Sequence, residues 1–484
     1  MQLDPALNIA PNTISSVHLM GIGGVAMGAL AGGLQRRGIM VRGSDQPLYP
    51  PMSTFLEGLD IPVARGYAAA NLEPRPDLVI VGNVIRRDNP EALALAEAGI
   101  PYLSLPQALA NFFIRDRTSI VVAGTHGKTT TTAIIASALL RAGLDPGFLV
   151  GGIMLEGGQN FADGAGPHFV VEGDEYDTAF FDKRPKFVHY RPRIAILSSC
   201  EFDHADIYAD LDAVRRAFDM LAKALPPDGL LLAWGDSPEV LARAKAAPCP
   251  VLCYGRSADC AWRLESVRPA PAGGARLVVR TPQGLELDFI SPLAGEHNAL
   301  NTTAACAALC AAGMEPSRAA ELQAGFGGVR RRQEVRGLAG GVVVVDDFAH
   351  HPTAVRETVA AVKGFGLPGW RPGQGRLVAV FEPRTNTSKR AFFQEQYAEA
   401  FDQADLVLLR EPPGVDDLAM DERFSSARLA ADLRGRGLAA QAHADSEALL
   451  AALLRELRPG DLCLVMSNGG FDNLHARLLA GLGG

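Results

Sequence analysis

The residues Ser119-Ile120-Val121-Val122-Ala123-Gly124-Thr125-His126-Gly127-Lys128-Thr129-Thr130 connect a short apolar run to an Ala-, Ile- and Leu-rich segment that extends to residue 142. The pattern predicts a buried strand, a glycine turn and a helix over 130–142. Such a turn directs N–H groups of the helix N-terminus towards phosphate oxygens, a lysine offsets phosphate charge, and a threonine hydroxyl can reach Mg²⁺. Lysine is rare in this chain, with seven against 39 arginines, so Lys128 is informative. We therefore predict a phosphate loop, in a shortened form because residue 122 is valine rather than glycine.

A second glycine turn lies near the N-terminus. The residues Gly21-Ile22-Gly23-Gly24-Val25-Ala26-Met27-Gly28 follow an apolar run at 14–20 and open a predicted helix over 25–36. The spacing resembles the dinucleotide-binding turn, in which Ala26 is an allowed replacement for the last glycine. Asp45 lies about 20 residues further on, where an acidic residue can meet a ribose. A nucleotide diphosphate fits this turn as well as NAD does.

Acidic residues and a histidine follow two more predicted strands. Glu172 comes at the end of the run 168–171, and Asp203-His204 follow the run 194–197. Because the carboxyl ends of parallel strands lie at one edge of a sheet, we expect these side chains beside the phosphate loop. A carboxylate and an imidazole there could hold a metal ion next to a γ-phosphate.

Two further polar clusters are candidates for ligand binding. Asn298 and Asn301 are three residues apart and share a face if the segment is helical. Two acids and two histidines follow the predicted strand 342–345, where ligand sites of α/β proteins form; they are Asp346, Asp347, His350 and His351. Taken alone, each cluster also fits a capped helix or a polar loop.

The chain divides into three predicted α/β units, at 1–116, 117–329 and 330–484. Alternation of strands and helices of this size predicts parallel, doubly wound sheets. The predicted strands are 14–20, 40–42, 78–81, 102–103, 119–123, 168–171, 194–197, 230–234, 251–254, 342–345, 377–381, 406–409 and 462–466, with a β-patterned stretch at 263–290. The predicted helices include 25–36, 90–98, 130–142 and 299–312.

Composition narrows the function further. The 484 residues are 48% apolar and 21% charged, which fits a globular chain and excludes an intrinsically disordered one. The net charge of −8 makes nucleic acid and anionic membranes unexpected partners. No apolar run approaches the roughly 20 residues of a membrane helix, and residues 1–13 lack the pattern of a secretory signal. Seven scattered cysteines without zinc-site spacing predict reduced thiols, and we expect a cytoplasmic protein.

Together the motifs resemble the Mur ligase family, whose members are ATP-dependent amide-bond ligases of bacterial cell-wall synthesis. The resemblance extends over about residues 14–475, and the motifs occur in the family's order. It implies three domains: an N-terminal Rossmann-like domain that binds a UDP substrate, a central ATPase-type domain with the phosphate loop, and a C-terminal Rossmann-like domain. One departure is that no lysine lies between His204 and Lys223, so we do not predict the carbamylated lysine that several members carry.

Finer features resemble the member that joins L-Ala-γ-D-Glu-meso-diaminopimelate, the murein tripeptide, to UDP-N-acetylmuramate in peptidoglycan recycling. They are the segments 49–54 (YPPMST), 180–192 (FFDKRPKFVHYRP), 381–387 (FEPRTNT) and 466–471 (MSNGGF). The interval of 32 residues from Glu172 to His204 is longer than in the alanine-adding member, and 180–192 accounts for the extra length. The alternative is ligation of L-alanine to the same UDP substrate in de novo synthesis.

The resemblance also implies roles for individual residues. Lys128, Glu172 and His204 are the expected catalytic residues, and two Mg²⁺ ions are expected at Thr129 and at Glu172 with His204. The residues expected to bind ATP are Gly124, Thr125, His126, Gly127, Lys128, Thr129, Thr130, Asn298, Asn301, Arg332 and Asp347. Those expected to bind the UDP moiety are Gly21, Ile22, Gly23, Gly24, Met27, Ser44 and Asp45. The candidates for the peptide are His350, Arg384, Asn386, Ser467, Asn468 and Gly469.

The implied mechanism transfers the γ-phosphoryl group of ATP to the lactyl carboxylate of UDP-N-acetylmuramate, and the acyl phosphate is then attacked by the amine of the acceptor. Two rival functions belong to other classes. A nicotinamide-dependent oxidoreductase built on the Gly21 turn leaves Lys128 and Glu172 unexplained. A nucleotide sensor would bind ATP without releasing phosphate. The sequence does not reveal the oligomeric state.

Overall fold

A computed structural model describes residues 3–50, 52–205, 207–415 and 418–483. Pro51 of the segment 49–54 lies outside the described residues. Three units, each a β-sheet with helices between its strands, follow one another along the chain. The predicted three-part α/β architecture is therefore confirmed. The exact domain boundaries 116/117 and 329/330 remain predictions.

The N-terminal sheet has five parallel strands in the order β3-β2-β1-β4-β5. Its strands are β1 Ser16–Met20, β2 Met40–Asp45, β3 Val63–Arg65, β4 Leu78–Val81 and β5 Tyr102–Ser104. Its helices are α1 Val25–Arg36, α2 Met52–Glu57, α3 Pro90–Ala98 and α4 Leu105–Leu109. The crossover from β1 to the neighbouring strands β2 and β4 places the Gly21 turn at the switch point of the sheet, where ligands of this fold bind.

The central sheet has ten strands in the order β17-β16-β15-β14-β13-β12-β6-β9-β7-β8. The strands are β6 Thr118–Ala123, β7 Gly147–Leu149, β8 Phe161–Ala162, β9 His168–Gly173, β12 Ile194–Leu197, β13 Leu230–Trp234, β14 Val251–Gly255, β15 Trp262–Pro269, β16 Ala275–Arg280 and β17 Glu286–Ser291. A separate antiparallel hairpin is formed by β10 Asp177–Ala179 and β11 Asp182–Pro185. The helices are α5 Lys128–Arg141, α6 Leu211–Ala224, α7 Pro238–Ala244, α8 Glu296–Ala311 and α9 Pro316–Gln323.

Within the described residues, the C-terminal sheet has six strands in the order β18-β19-β23-β20-β21-β22, of which only β18 runs antiparallel to its neighbour. The strands are β18 Glu334–Ala339, β19 Val342–Asp347, β20 Leu377–Phe381, β21 Leu406–Arg410, β22 Ala439–His443 and β23 Leu462–Met466. The helices are α10 Pro352–Phe365, α11 Tyr397–Ala400, α12 Ser426–Gly435, α13 Ser446–Glu456 and α14 Leu474–Gly483.

Several predicted boundaries were wrong by a few residues. Helix α5 begins at Lys128 rather than at residue 130, because Gly127 adopts a left-handed conformation (φ 81°) and serves as its N-cap. Strand β19 continues to Asp347, so its two acids belong to the strand instead of following it. Helix α8 begins at Glu296 and therefore includes Asn298, as the shared-face argument required.

The segment 180–192 packs between domains. Phe181 meets Tyr102 of the N-terminal domain edge to face, with ring centroids 4.9 Å apart, while Phe187 and Tyr190 are buried in the central core. Among the described residues, all seven cysteines are unpaired thiols, and no helix is long and apolar enough to span a membrane.

Candidate active site

The phosphate loop lies between the ends of three neighbouring parallel strands. In register, Ala123 at the end of β6 pairs with Gly173 of β9 on one side and with Leu197 of β12 on the other. The residues that follow these strands therefore meet at one edge of the central sheet. The sequence-based expectation that Glu172 and Asp203-His204 lie near the loop rests on this topology.

The loop itself is held tightly by the segment after β12. Ser199 Oγ accepts a hydrogen bond from the backbone N–H of His126 at 2.8 Å, and Thr125 Oγ1 accepts one from the N–H of Glu201 at 2.9 Å. Gly124 has φ 133°, and a Cβ there would lie 2.3 Å from Ser198 Oγ. A Cβ on Gly127 would lie 2.5 Å from Asn301 Oδ1. Both glycines are thus needed for the close approach of neighbouring side chains.

The side chain of Lys128 is only 11% exposed, and it points back over the loop. Its Nζ donates to the carbonyl oxygen of Gly124 at 2.6 Å and to Glu175 Oε2 at 2.9 Å. Burial opposes the charge on Lys128, but Glu175, Asp174 and Glu172 outweigh it and raise the pKa of the ammonium group. The lysine is therefore a fixed positive charge at the position where phosphate oxygens would lie.

Glu172 lies directly beside the first turn of α5. Its carboxylate accepts a hydrogen bond from Thr129 Oγ1 at 3.0 Å and another from the N–H of Gly151. Burial and the neighbouring charge of Asp174 raise the pKa of Glu172 to about 7, against the opposing effect of Arg332 and Lys128. The carboxylate is thus partly removed from water beside another acid, and a bound cation would stabilise its charged form.

His204 lies on the other side of Lys128. Its Nε2 is 3.4 Å from Asp203 Oδ2 and 3.9 Å from Glu175 Oε1, and its ring meets that of Tyr176 edge to face. Burial lowers the pKa of His204, which keeps a ring nitrogen available as a ligand. Among the described contacts, none joins His204 directly to Glu172; Glu175 connects it to Lys128.

The C-terminal domain contacts the loop at several points. Arg332 Nη2 donates to Thr129 Oγ1 at 3.3 Å, and its guanidinium lies 4.6 Å from the ring centroid of Phe348. Thr353 Oγ1 donates to Glu201 Oε2 at 2.7 Å, and His351 lies 3.2 Å from the carbonyl oxygen of Phe202. The third domain therefore contacts both the first turn of α5 and the segment 201–202 that lies against the phosphate loop.

The other expected ATP residues surround the same junction. Asn298 and Asn301 are both buried on one face of α8, where Asn301 Nδ2 donates to Asn298 Oδ1 at 3.3 Å. Asp347 accepts the N–H groups of Gln333 and Ala349, each at 2.8 Å. Its carboxylate is already engaged with the backbone, so a ribose contact would have to share these oxygens.

In the N-terminal turn, a carboxylate binds the backbone of the turn itself. Asp45 Oδ2 accepts the N–H of Gly23 at 2.6 Å, and Asp45 Oδ1 accepts the hydroxyl of Tyr67 at 3.1 Å. Ser44 is fully buried, and its hydroxyl donates to Glu91 at 2.7 Å. The carbonyl of Ser44 accepts the N–H groups of Gly21 and Ile22, so Ser44 shapes the turn instead of offering a free hydroxyl to a ligand.

The candidates for peptide binding lie along the carboxyl edge of the C-terminal sheet. His350 Nε2 is 3.8 Å from Asp203 Oδ2, which places it beside the His204 cluster. Ser467 Oγ donates to Glu382 at 2.6 Å, and a Cβ on Gly469 would lie 2.2 Å from Cδ of Arg384. Two of the candidates, Arg384 and Gly469, are thus in contact.

Sequence reasoning missed Glu175 as the partner of Lys128. It was one of four acids within 172–177, and the sequence gives no means of choosing which of them faces the lysine. Ser199 and Glu201 were also missed, although they directly precede the noted Asp203-His204 pair and lie on the loop that approaches the phosphate turn.

Fold and site together define a nucleotide-dependent α/β enzyme in which a phosphate loop lies between two Rossmann-like domains. Comparison with known proteins makes this more specific. The Mur ligase family catalytic domain matches residues 16–117, the Mur ligase middle domain matches 122–309, and the Mur ligase glutamate ligase domain matches 331–469.

Comparison with individual proteins supports the same family. The chain is 40% identical over 470 residues to the UDP-N-acetylmuramate–L-alanyl-γ-D-glutamyl-meso-2,6-diaminoheptandioate ligase of Escherichia coli, which covers 96% of this chain and 98% of that protein. It is 37% identical over 427 residues to a UDP-N-acetylmuramate–L-alanine ligase of Arthrobacter sp., with 86% of each covered. A crystal structure of a murein peptide ligase from Psychrobacter arcticus has a TM-score of 0.70 at 34% identity and covers 97% of this chain and 99% of its own. The chain belongs to the Mur ligase family, as the motifs predicted.

Proposed function

We propose that this chain is an ATP-dependent ligase that joins L-Ala-γ-D-Glu-meso-diaminopimelate to UDP-N-acetylmuramate, with ADP and phosphate as the other products. The observation that carries the proposal is that Thr129, next to Lys128 of the phosphate loop, contacts both Glu172 of the central domain and Arg332 of the C-terminal domain. This is a phosphoryl-transfer site closed by an acceptor-binding domain. The higher identity and coverage of the E. coli relative favour the tripeptide over L-alanine as acceptor.

The donor set fits Mg²⁺. Thr129 Oγ1 and Glu172 Oε2 are 3.0 Å apart, and both are oxygen atoms of the kind that Mg²⁺ prefers as ligands. The sequence-based expectation paired Glu172 with His204, but Glu172 contacts Thr129 instead, whereas His204 lies beside Asp203 and Glu175. We therefore propose that Thr129 and Glu172 would hold one ion and that His204 would help to hold a second. When bound, Mg²⁺ neutralises charge on the transferring phosphoryl group.

The remaining steps follow from this chain's own residues. Lys128 stabilises the β- and γ-phosphates as a fixed charge while backbone N–H groups of Gly124–Thr130 orient them. The lactyl carboxylate attacks the γ-phosphorus, ADP leaves, and an acyl phosphate forms. The acceptor amine, once deprotonated, attacks the acyl carbon and phosphate leaves. His350 Nε2 beside the Asp203 carboxylate is the proposed site for the proton that the amine gives up.

Binding of the two nucleotides is assigned to separate domains. Asn298, Asn301 and Arg332 border the ATP site at the junction, and Asp347 supports its ribose side. Gly21–Gly24, Met27 and Asp45 hold the UDP moiety at the switch point of the N-terminal sheet. The contact between the third domain and the first turn of α5 would help to shield the acyl phosphate from water. Unpaired thiols and the use of ATP support a cytoplasmic location.

Trapping of the intermediate tests this proposal. The protein is incubated with ATP, Mg²⁺, UDP-N-acetylmuramate and hydroxylamine without any peptide, and the masses of the products are measured by mass spectrometry. We expect UDP-N-acetylmuramoyl hydroxamate and an equal amount of ADP, because hydroxylamine replaces the amine of the acceptor. ATP binding without ADP formation would contradict the proposal and favour a nucleotide sensor.

A further inference from the structure

Two histidines and a glutamate meet where the phosphate loop faces the C-terminal domain. They are His126 of the loop, Glu201 of the segment after β12, and His351, which directly precedes α10. A ring nitrogen of each histidine and a carboxylate oxygen of the glutamate all lie within 4.8 Å of one another. This is the one such group of three or more histidine, cysteine, aspartate or glutamate residues in the part of the chain that the structure describes.

The carboxylate of Glu201 faces both imidazole rings. Its Oε2 is 3.4 Å from Nε2 of His126 and 3.9 Å from Nδ1 of His351. A tetrahedral zinc ion with bonds of about 2.0–2.2 Å holds its ligand atoms about 3.3–3.6 Å apart. The first distance therefore already matches the edge of such a site, and the second needs only a small movement of one side chain.

The surroundings of His351 select the ring nitrogen that can bind a metal. Nε2 lies 3.2 Å from the carbonyl oxygen of Phe202, which can only accept, so the ring proton belongs on Nε2. Nδ1 then carries the lone pair; it faces Glu201 and accepts the N–H of Thr353 at 3.2 Å. Burial lowers the pKa of His351 to about 3, so the ring stays neutral. A neutral imidazole whose other N–H donates to a carbonyl is the usual form of a metal ligand.

The glutamate also has an outer partner, and the group is open to solvent on one side. Thr353 Oγ1 donates to Glu201 Oε2 at 2.7 Å, which orients the carboxylate. The side chains of His126 and Glu201 are 24% and 35% exposed, whereas that of His351 is 7% exposed. A hydrated cation can therefore reach the three ligands, and water can complete its fourth position.

We propose that His126, Glu201 and His351 form a binding site for a divalent transition-metal ion of the zinc class. Two imidazoles and one carboxylate suit Zn²⁺, whereas Mg²⁺ takes oxygen ligands. The site is thus distinct in position and in chemistry from the Mg²⁺ site proposed at Thr129 and Glu172. On binding, the metal takes the lone pair of His351 Nδ1 that otherwise accepts a backbone N–H.

A metal ion in this position joins two domains. His126 and Glu201 belong to the central domain, while His351 is the N-cap of α10 in the C-terminal domain. Under the proposed function, ATP enters and ADP leaves at the junction of these two domains. Zinc would therefore inhibit ligation by holding the junction closed. This consequence rests on the proposed function, whereas the metal site itself does not.

Metal binding is measured first, on the full chain without nucleotide or substrate. Co²⁺ is the probe, because its visible absorption is strong in a four-coordinate site, and Zn²⁺ is then added to displace it. We expect a saturable Co²⁺ spectrum in the wild type that Zn²⁺ abolishes.

Two variants with the same substitution locate the site. His351→Asn removes the imidazole but keeps a side-chain oxygen that can cap α10. It should weaken Zn²⁺ binding at least about 10- to 100-fold, since loss of even an outer partner of a metal ligand has an effect of that size. His443→Asn is the matched control, because His443 ends β22, which three strands separate from β19. It should bind Zn²⁺ as the wild type does.

A second substitution guards against misfolding of the first variant. Glu201→Gln keeps the shape of the side chain and loses its charge, and it should weaken Zn²⁺ binding as well. Unchanged Zn²⁺ affinity in His351→Asn and Glu201→Gln would overturn the site and place the metal elsewhere. A wild type that binds neither Co²⁺ nor Zn²⁺ would show that the three residues form an interdomain contact only.

The effect on ligation is tested separately at saturating Mg²⁺. Zn²⁺ should inhibit the wild type and His443→Asn at concentrations that leave the rate of His351→Asn unchanged from its own value without Zn²⁺. Equal inhibition of all three proteins would contradict the inhibitory role of this site. A wild type that binds Zn²⁺ but catalyses no ligation would overturn the proposed function and leave the metal site standing.

Discussion

The two glycine turns of this chain have the same place in their domains and different surroundings. Each follows a parallel strand and opens a helix, at Gly21–Gly24 and at Gly124–Thr130. The central turn is surrounded by Lys128 and by acids that include Glu172 and Glu175, whereas Asp45 accepts an N–H group of the N-terminal turn. The shared backbone provides anion binding in both, and the side chains from neighbouring strands give reactive chemistry to one of them only.

The largest effect is expected at Glu172. Glu172→Ala should lower Mg²⁺-dependent ligation by about 10³-fold or more, because stabilisation of transition-state charge by a bound metal is worth several kcal/mol. UDP-N-acetylmuramate should still bind, since the N-terminal turn is untouched. The rate of product formation reports on the central turn, and calorimetric binding of the UDP substrate reports on the N-terminal turn. Equal loss of both would show that Glu172 is structural and not a metal ligand.

The second largest effect on the rate is expected at Lys128. Lys128→Ala is expected to reduce the rate of phosphate release at least about 10²-fold, the scale of one preorganised electrostatic contact. Lys183→Ala provides the matched control, because Lys183 is 70% exposed and pairs with Asp177 away from the loop. Steady-state phosphate release checks both variants, and near-normal turnover of the first would remove Lys128 from the mechanism.

A smaller and different effect is expected at the N-terminal turn. Asp45→Ala should raise KM for UDP-N-acetylmuramate about tenfold and leave kcat nearly unchanged, because it removes binding that is equal in the ground and transition states. Initial rates measured at several concentrations of UDP-N-acetylmuramate separate the effect on KM from the effect on kcat. A fall in kcat like that of Lys128→Ala would end the distinction between a binding turn and a reactive turn.

The smallest effect concerns how the phosphate loop is fixed. Burial opposes ionisation of Glu201, but hydrogen bonds and charge from His126 and Thr353 prevail and lower its pKa from 4.5 to about 2. A lowered folded-state pKa contributes stability that is complete above about pH 4.5 and is lost as the pH falls towards 2.

Glu201→Gln should therefore lower the melting temperature at pH 6 by a few degrees and flatten its decline between pH 5 and 3, on the scale expected for about 1 kcal/mol. Glu447→Gln, at a 75% exposed carboxylate paired with Arg477, is the control. Parallel pH profiles for Glu201→Gln and the wild type would show that this carboxylate does not fix the loop.

The same comparison explains what the sequence could predict. Both turns were recognisable because glycine spacing, an apolar strand before and a helix after are local patterns. The partner of Lys128 could not be predicted, because the course of the chain between β9 and β10 determines that Glu175 contacts the lysine. Contacts such as Arg332 with Thr129 join residues about 200 positions apart and depend on how two domains meet. Short edge strands such as β18 and β22 were missed for a related reason: their exposed residues lack a strong apolar pattern.

The central claim is that this phosphate loop activates UDP-N-acetylmuramate for a peptide acceptor. The most direct measurement is phosphate release from ATP, Mg²⁺ and UDP-N-acetylmuramate with the murein tripeptide or with L-alanine, together with the mass of the product. We predict release and the UDP-N-acetylmuramoyl-tripeptide product with the tripeptide, and neither with L-alanine. Release with L-alanine alone would contradict the account and assign the chain to de novo synthesis.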